Sequence, residues 1–366
     1  MAKFGEEETA GQFSNRLSGI VEGGLTSLSI AFGVKTGLFD ILVEHHHTPM
    51  TSQELADAGG FKERYVREWL GAVAGARIVH LDPVTERYHI PAQLLDVFKK
   101  GTPQNQLVLA TKAVPFLSEV FNDMREVVKK EGPLGLPFSK AKSFTEFEDD
   151  FSRLWYENEF RQEFIPSIPS LHTKLDKGIS MLDVGCGHGA GILNLAEHYP
   201  RSRFVGIEIG EDSVKSARDL ANVKNLTNVE FHCIDATTLP KDWANTFDYV
   251  FFHNVIHDLA RPDLVLKEVK EVMKPEALMS VLEINASSKQ ANNIDSQGGS
   301  ELYTFSLFHC LPVSCNTPGS LGLGTAWGKE AATEFFKEQG FTIKSITELP
   351  KLHFLCTVST ESLKGQ

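Results

Sequence analysis

The sequence predicts two parts, a mainly helical N-terminal domain followed by an α/β domain built on a seven-stranded sheet. Three observations support this division. The C-terminal half alternates short apolar runs with helical runs, which is typical of parallel strands joined by crossover helices. A glycine-rich turn, Gly185–Gly191, follows the first of those runs, and the N-terminal half is dominated by helical periodicity. A chain of 366 residues is long enough for two separate cores.

The α/β domain is expected to begin near Leu171. Its strands are predicted at 179–184, 203–208, 229–234, 247–253, 277–284, 341–347 and 352–359, and its helices at 190–199, 211–223, 262–274 and 328–339. The first five strands alternate with helices and should be parallel. Only a short turn around Pro350 joins the last two, so they should form an antiparallel hairpin.

The glycine-rich turn is the first candidate binding site. Glycine has no Cβ, so a loop containing Gly185 and Gly187 lets backbone N–H groups approach a ligand closely. Together with Ala190, these residues fit the dinucleotide fingerprint, and Glu208 lies at a suitable distance for a ribose contact. However, Asp183 precedes the turn, and a carboxylate there favours a cationic ligand such as a sulfonium over a pyrophosphate.

Three motifs resemble those of class I S-adenosylmethionine-dependent methyltransferases. Leu182–Gly189 is similar to the first motif of that family, Phe204–Ile209 to the second strand with its ribose-binding acid, and His232–Ala236 to the third strand with its adenine-contacting acid. The resemblance implies a Rossmann-like methyltransferase sheet with a reversed last strand, and S-adenosylmethionine as cofactor. The cofactor-binding residues it implies are Asp183, Gly185, Cys186, Gly187, Glu208, Ile209, Asp235, Ala236, His253 and Asn254.

A candidate general base follows the fourth strand. His257 is expected beside the crevice, and the ordinary pKa of histidine suits proton transfer near neutrality. The His257–Asp258 pair resembles the base-bearing motif of plant-type small-molecule O-methyltransferases, with Leu259 where that family usually has tryptophan. A structural role for this histidine is the alternative. Asp258 is expected to point away from His257, which leaves Glu283 or His309 to orient the imidazole.

The substrate is expected between an aromatic helix and an insertion. The stretch Phe144–Ile165 is helical, and most of its aromatic side chains should be core, with Trp155 and Tyr156 as candidates for the pocket. Residues 285–327 form an insertion after the fifth strand, at the edge where an α/β sheet binds ligands. We expect it to be a lid and pocket wall, with Phe305, His309 and Trp327 as substrate contacts.

The N-terminal residues 1–100 are predicted to hold one helix from Asn15 to about Asp40 and then a winged helix over about residues 35–95. Residues 101–170, with a further helical stretch at 104–131, are predicted to connect it to the α/β domain at 171–366. Nine basic and ten acidic residues lie between Asn15 and Lys100, whereas nucleic-acid modules usually carry a positive excess. Homodimerisation is therefore the preferred role of this domain, and small-molecule O-methyltransferases with a similar module provide the analogy.

Composition limits the remaining possibilities. The formal net charge of −12 opposes binding to nucleic-acid phosphates, and the chain lacks a pattern typical of a membrane span or signal peptide, so a cytoplasmic protein is expected. Five scattered cysteines fit a reducing compartment, with Cys310 and Cys315 read as packed or loop residues rather than a reactive pair. His45–His47 are read as a solvated loop, and no metal site is predicted.

The sequence thus predicts a methyltransferase that acts on a hydroxyl group of a small molecule. Two alternative functions remain open from the sequence alone. One is a ligand-sensing transcriptional regulator that reads DNA through the winged helix, with Arg64 and Arg67 as contacts. The other is an NAD-dependent oxidoreductase, which the permissive glycine fingerprint also allows.

Overall fold

The protein is described by a computed structural model that covers residues 8–296, 298–349 and 353–359. The chain separates into two compact units that meet between Glu119 and Val120. The stretch 101–170, predicted as a connector, is therefore divided between the two units.

The N-terminal unit begins with a long helix that ends earlier than predicted. Its N-terminus is capped by Thr9, whose hydroxyl accepts the Gln12 N–H at 3.3 Å. Gly37 adopts a left-handed φ of 77° and ends this helix, so the prediction of one helix to Asp40 is wrong. The helices of this unit are α1 Ala10–Thr36, α2 Leu38–Glu44, α3 Ser52–Gly59, α4 Glu63–Gly75, α5 Leu95–Phe98, α6 Gln106–Ala110 and α7 Ala113–Glu119.

The predicted winged helix is present within this unit. Helices α3 and α4 form the helix-turn-helix, and Leu55, Leu70 and Val73 are fully buried in its core. The wing is an antiparallel pair, β1 His80–Asp82 and β2 Arg87–His89. Residues 104–131 form several short helices and not one. A new helix begins at Ala113, which places Pro115 in its first turn, because proline has no backbone N–H to donate in a helix interior.

Helix α1 keeps a stripe of large apolar side chains exposed to solvent. The stripe follows helical spacing and consists of Phe13, Leu17, Ile20, Val21, Leu25, Leu28 and Phe32. Among the described residues, α1 is also the one helix whose length and apolar composition would suffice to cross a membrane. The core helix of a soluble protein and a signal sequence meet the same criteria, and no membrane span was expected from the sequence.

The second unit is organised around the seven-stranded sheet that was predicted. Its order is β5-β4-β3-β6-β7-β9-β8, and the strands β3 to β7 are mutually parallel. Strand β9 runs antiparallel to both β7 and β8, which confirms the reversed last strand. The strands are β3 Ser180–Val184, β4 Arg203–Glu208, β5 Val229–Cys233, β6 Phe247–His253, β7 Met273–Ile284, β8 Thr342–Leu349 and β9 His353–Ser359.

Helices cover this sheet and leave the carboxyl ends of its strands accessible. Separate apolar clusters, one around Phe252 and Phe336 and the other around Phe160 and Phe204, form its core. The helices are α8 Phe121–Val127, α9 Lys142–Asn158, α10 Ile165–Ser167, α11 Leu171–Lys177, α12 Ala190–His198, α13 Glu211–Val223, α14 Pro262–Val272, α15 Gln290–Asn293, α16 Gly299–Phe305, α17 Leu311–Ser314 and α18 Gly328–Glu338. The predicted aromatic helix therefore ends at Asn158, and a π-helical turn at Phe160–Phe164 follows it.

Candidate functional site

A crevice of about 590 Å³ opens at the carboxyl ends of β3, β4, β5 and β6. Its walls come from the glycine-rich turn, from one face of α9, from the segment after β6 and from the insertion after β7. This is the edge at which ligands bind open α/β sheets. All of these elements belong to the second unit.

The glycine-rich turn is closely packed at Gly185 and Gly189 and is open at Gly187. Gly185, Gly187 and Gly189 all have positive φ values, at 72°, 54° and 78°. A Cβ at Gly185 would lie 2.6 Å from Val255, and one at Gly189 would lie 2.6 Å from Phe231. At Gly187 a Cβ would meet no atom within 4 Å, so the backbone there faces the crevice.

Glu208 at the end of β4 is held in place by backbone donors. Its Oε1 accepts the N–H groups of Ile209 and Gly210, both at 2.9 Å, and its Oε2 accepts the Gly187 N–H at 3.2 Å. The carboxylate therefore already occupies a donor of the glycine turn that an incoming phosphate would require. Ile209 lines the crevice beside it.

The ends of β5 and β6 add further polar groups to the crevice. Asp235 Oδ1 accepts the Thr237 N–H at 2.9 Å, which fixes the turn after β5, and Ala236 lines the crevice next to it. Asn254, at a left-handed φ of 53°, donates its amide hydrogen to Glu148. Its Oδ1 is buried and has no hydrogen-bond partner within the described ranges, so it offers an acceptor to a ligand.

Asp183 does not occupy the place that the sequence predicts. The side chain is buried and is not part of the crevice lining, because β3 is covered on both faces of the sheet. Burial, reinforced by the Glu208 carboxylate, raises the pKa of Asp183 to about 8. The neutral form of Asp183 is therefore favoured at pH 7 unless a positive charge lies nearby, and its contact with the cofactor stays a prediction.

His257 lies beneath the crevice wall and not in it. Its imidazole is 3% exposed, and Nδ1 donates a hydrogen bond to Oε2 of Glu283, the partner that the sequence analysis suggested. Burial disfavours the imidazolium, but the Glu283 and Asp258 carboxylates outweigh it and hold the pKa of His257 well above its ordinary value. The premise of a neutral histidine facing the substrate is not met by this geometry.

Asp258 lies closer to His257 than expected. Residues Ile256–Asp258 form a 3₁₀ turn and not an α-helix, and this brings Asp258 Oδ1 to 3.4 Å from His257 Nε2. Asp258 also lines the crevice, 3.9 Å from Nε2 of His309. His309 lines the crevice as predicted, and burial lowers its pKa to about 4.

Glu148 is a crevice residue that the sequence analysis missed. Burial, followed by the nearby Asp258 carboxylate, raises the pKa of Glu148 to about 7. Glu148 shares one face of α9 with Ser152 and Tyr156, at i, i+4 and i+8, and all three line the crevice. This i, i+4, i+8 spacing, beside the aromatic residues of the helix, was the available signal.

The five predicted substrate contacts separate into two groups. Tyr156 lines the crevice and donates its O–H to His253 Nδ1 at 2.6 Å, and His253 and His309 line the crevice as well. Trp155, Phe305 and Trp327 do not. Trp155 packs on Phe160 and Phe164, Phe305 stacks on Phe147, and Trp327 is buried against Phe335 and Phe336, because large aromatic rings gain more from these clusters.

Comparison with known proteins connects this geometry to described families. Residues 175–340 match the family described as "Methyltransferase domain", and residues 24–98 match the "Rv2258c-like winged HTH domain". The ubiquinone biosynthesis O-methyltransferase of Neisseria meningitidis serogroup C is 29% identical over 143 residues, which are 38% of this chain and 56% of that protein. The chain spans about half the length of the curated relatives it matches.

Solved structures share the fold over nearly the whole chain. The mitomycin 7-O-methyltransferase MmcR has a TM-score of 0.71 at 14% identity, covering 94% of this chain and 97% of that one. Human N-acetylserotonin methyltransferase, solved in complex with S-adenosylmethionine (SAM), has a TM-score of 0.67 at 14% identity, covering 99% and 100%. The chain therefore contains a methyltransferase domain over residues 175–340 and a winged helix-turn-helix domain over residues 24–98, and it shares the fold of these solved methyltransferases.

Proposed function

We propose that the protein is a SAM-dependent methyltransferase that methylates a hydroxyl group of a small molecule. The observation that carries this proposal is the pair of acids at the ends of β4 and β5, Glu208 and Asp235, which line one crevice with the glycine backbone that follows β3. When bound, SAM supplies a sulfonium methyl group to a nucleophile held in line with it. Two of the similar proteins are named as O-methyltransferases, which favours oxygen as the acceptor atom.

The residues of the crevice suit this cofactor. By resemblance to the family, Glu208 would hold the ribose hydroxyls and Asp235 the adenine side, while the unsatisfied Oδ1 of Asn254 offers an acceptor for an ammonium group. A dinucleotide fits less well. Its pyrophosphate would meet the Glu208 carboxylate at a turn whose Gly187 N–H is already donated.

The charge of Asp183 depends on whether the crevice holds a cation. Its carboxyl group is protonated when the crevice holds no cation, because burial raises its pKa to about 8. A positive charge nearby favours the ionised form of a carboxyl group. We infer that cofactor binding lowers the pKa of Asp183 and draws a proton from it.

A hydroxyl acceptor must lose a proton as the methyl group is transferred. The sequence pattern favoured His257 for this role, but its imidazole is buried, lies outside the crevice lining and has a pKa held above its ordinary value by the Glu283 and Asp258 carboxylates, despite its burial. Glu148 lies in the lining, receives a hydrogen bond from Asn254 and has a pKa near neutrality. We therefore propose Glu148 as the group that accepts the proton and His257 as a residue that positions Asp258.

For the N-terminal domain we propose homodimerisation through α1. The stripe leaves seven large apolar side chains of one helix between 47% and 63% exposed, and contiguous exposed apolar patches mark interaction surfaces. The charges on α4 favour this role over DNA reading, because both candidate arginines are paired with acids on their own helix, Arg64 with Glu68 and Arg67 with Glu63. In each pair the acid neutralises the arginine, so α4 presents little positive potential to nucleic-acid phosphates.

The first prediction concerns stability. The carboxyl group of Asp183 has a pKa of about 8 in the folded protein and a much lower one when unfolded, so the native state binds more protons. The free energy of unfolding should therefore fall from about pH 4 towards about pH 8, by at most about 1.4 kcal/mol per pH unit. Asp183→Asn should reduce this slope in urea titrations to the part that Glu148 contributes, and the exposed Asp219→Asn should retain the full slope. Equal slopes in Asp183→Asn and wild type would contradict the assignment.

The second prediction concerns cofactor affinity. Glu208→Gln keeps an oxygen acceptor but removes the charge, and it should raise the SAM dissociation constant about 10- to 100-fold, because charged hydrogen bonds contribute about 1.5–3 kcal/mol. Equilibrium dialysis with labelled SAM measures this change. Glu211→Gln, on the exposed first turn of α13, is the matched control and should bind as wild type does. Unchanged affinity in Glu208→Gln would argue against its role.

The third prediction concerns proton transfer. Methyl-labelled SAM and metabolite extracts should reveal the acceptor as the molecule that gains the label. With that acceptor, Glu148→Gln should lower turnover about 10²- to 10⁴-fold while S-adenosylhomocysteine affinity stays unchanged. Glu146→Gln, on the exposed side of α9, should remain active. If His257→Ala lost more turnover than Glu148→Gln at intact cofactor affinity, the original assignment to His257 would stand.

The fourth prediction concerns assembly. Leu17→Lys combined with Leu25→Lys places two charges in the α1 stripe, and light scattering after gel filtration should then give a monomer where wild type gives a dimer. Val223→Lys, an exposed apolar site outside the stripe, should stay dimeric. A monomeric wild type, or wild-type protein that sediments with lipid vesicles through α1, would overturn the dimer proposal.

A further inference from the structure

The side chains around His257 include an arrangement that methyl transfer does not require. His257, Asp258 and Cys310 each present one donor atom, and these three atoms lie within 4.8 Å of one another. His257 and Cys310 are buried, and Asp258 is half-buried at the crevice wall. The histidine and aspartate come from the turn after β6, and the cysteine comes from the π-helical turn of the insertion.

The separation of these donors suits a single ion. His257 Nε2 and Asp258 Oδ1 are 3.4 Å apart, close to the roughly 3.3 Å between two ligands of a tetrahedral zinc ion bound at about 2.0–2.1 Å. A separation of 3.4 Å is long for an N–H···O hydrogen bond. Asp258 Oδ1 is also shielded from solvent and has no hydrogen-bond partner in the described part of the chain. A buried acceptor left in this state calls for another partner.

The surroundings of the donors resemble the outer shell of a metal centre. Nδ1 of His257 donates to Glu283, which orients the ring with Nε2 towards Asp258 and Cys310. The Thr325 hydroxyl donates to Cys310 Sγ at 2.8 Å, but burial raises the pKa of Cys310 to about 12, so the thiolate forms there only with a bound cation. Glu283 also accepts the Ile256 N–H at 3.0 Å, so the whole carboxylate is fixed.

We propose that His257, Asp258 and Cys310 bind a zinc-class divalent cation at the wall of the crevice. A mixed nitrogen, oxygen and sulfur set selects zinc over magnesium or calcium. The cation replaces one proton on Nε2 of His257 and one on Cys310 Sγ, and both protons pass to solvent. Three protein ligands leave a fourth position, on the side where Asp258 and His309 line the crevice.

A ligand in that fourth position would lie in the substrate part of the crevice. A bound divalent cation lowers the pKa of a coordinated hydroxyl group or thiol. The cation would then assist deprotonation of the acceptor, and this consequence, unlike the site itself, rests on the proposed methyl transfer.

The test uses the full chain after removal of any affinity tag. Titration of chelator-treated wild-type protein with Co²⁺ should saturate at one ion per chain and give tetrahedral ligand-field bands with a thiolate-to-cobalt charge-transfer band. Zinc content, measured by mass spectrometry, should rise to one equivalent after reconstitution. Cys310→Ser should lose the charge-transfer band, and Glu283→Gln should weaken cobalt binding about 10- to 100-fold.

Cys315→Ser is the matched control, because this cysteine lies outside the cluster and should keep the band. Binding of S-adenosylhomocysteine reports whether each variant folds. If Cys310→Ser does not bind S-adenosylhomocysteine, Asp258→Asn is the second variant, because Asp258 is only half-buried. Absence of saturable cobalt binding by wild type would overturn the proposal. Equal binding in Cys310→Ser would also overturn it and would indicate that the cation binds elsewhere, for example at the histidines 45–47. Neither result bears on cofactor binding, which is measured separately.

Discussion

Negative charge concentrated at one edge of the sheet is the constraint on which the rest of the site depends. Glu208, Asp235, Asp258 and Glu148 line a single crevice, and Asp183 lies buried behind it. Among the described lining residues the only Lys or Arg is Arg261, and its guanidinium is paired with Asp263 at 2.8 Å. Burial, reinforced by Glu208 for Asp183 and by Asp258 for Glu148, raises the pKa of these two carboxyl groups, because neighbouring negative charges disfavour ionisation.

The protein relieves this repulsion in two ways. Protons are retained on Asp183 and Glu148, whose pKa values rise to about 8 and about 7. Backbone N–H groups stabilise Glu208, and the imidazolium of His257 lies between Glu283 and Asp258. Both arrangements leave negative or ionisable groups that a cation would stabilise. The same property therefore underlies the proposed sulfonium cofactor and the proposed metal site.

The fold was predictable because its signals are periodic and local. Alternation of apolar and helical runs predicted all seven strands, and two of the three acids at strand ends, Glu208 and Asp235, line the crevice. What the sequence did not predict depends on tertiary packing. The charge of Asp183 follows from burial, the approach of Asp258 to His257 follows from a 3₁₀ turn, and Trp327 left the predicted wall for the core. Glu148 was missed because the aromatic residues of its helix dominate the pattern.

The central claim is that this crevice recruits a positively charged methyl donor and not a phosphate-bearing dinucleotide. Calorimetric competition on the wild-type chain tests it most directly, with SAM titrated in the presence and absence of excess NAD. The account predicts that SAM saturates the protein at one molecule per chain with an affinity that NAD leaves unchanged. Heat from NAD alone together with none from SAM would contradict it.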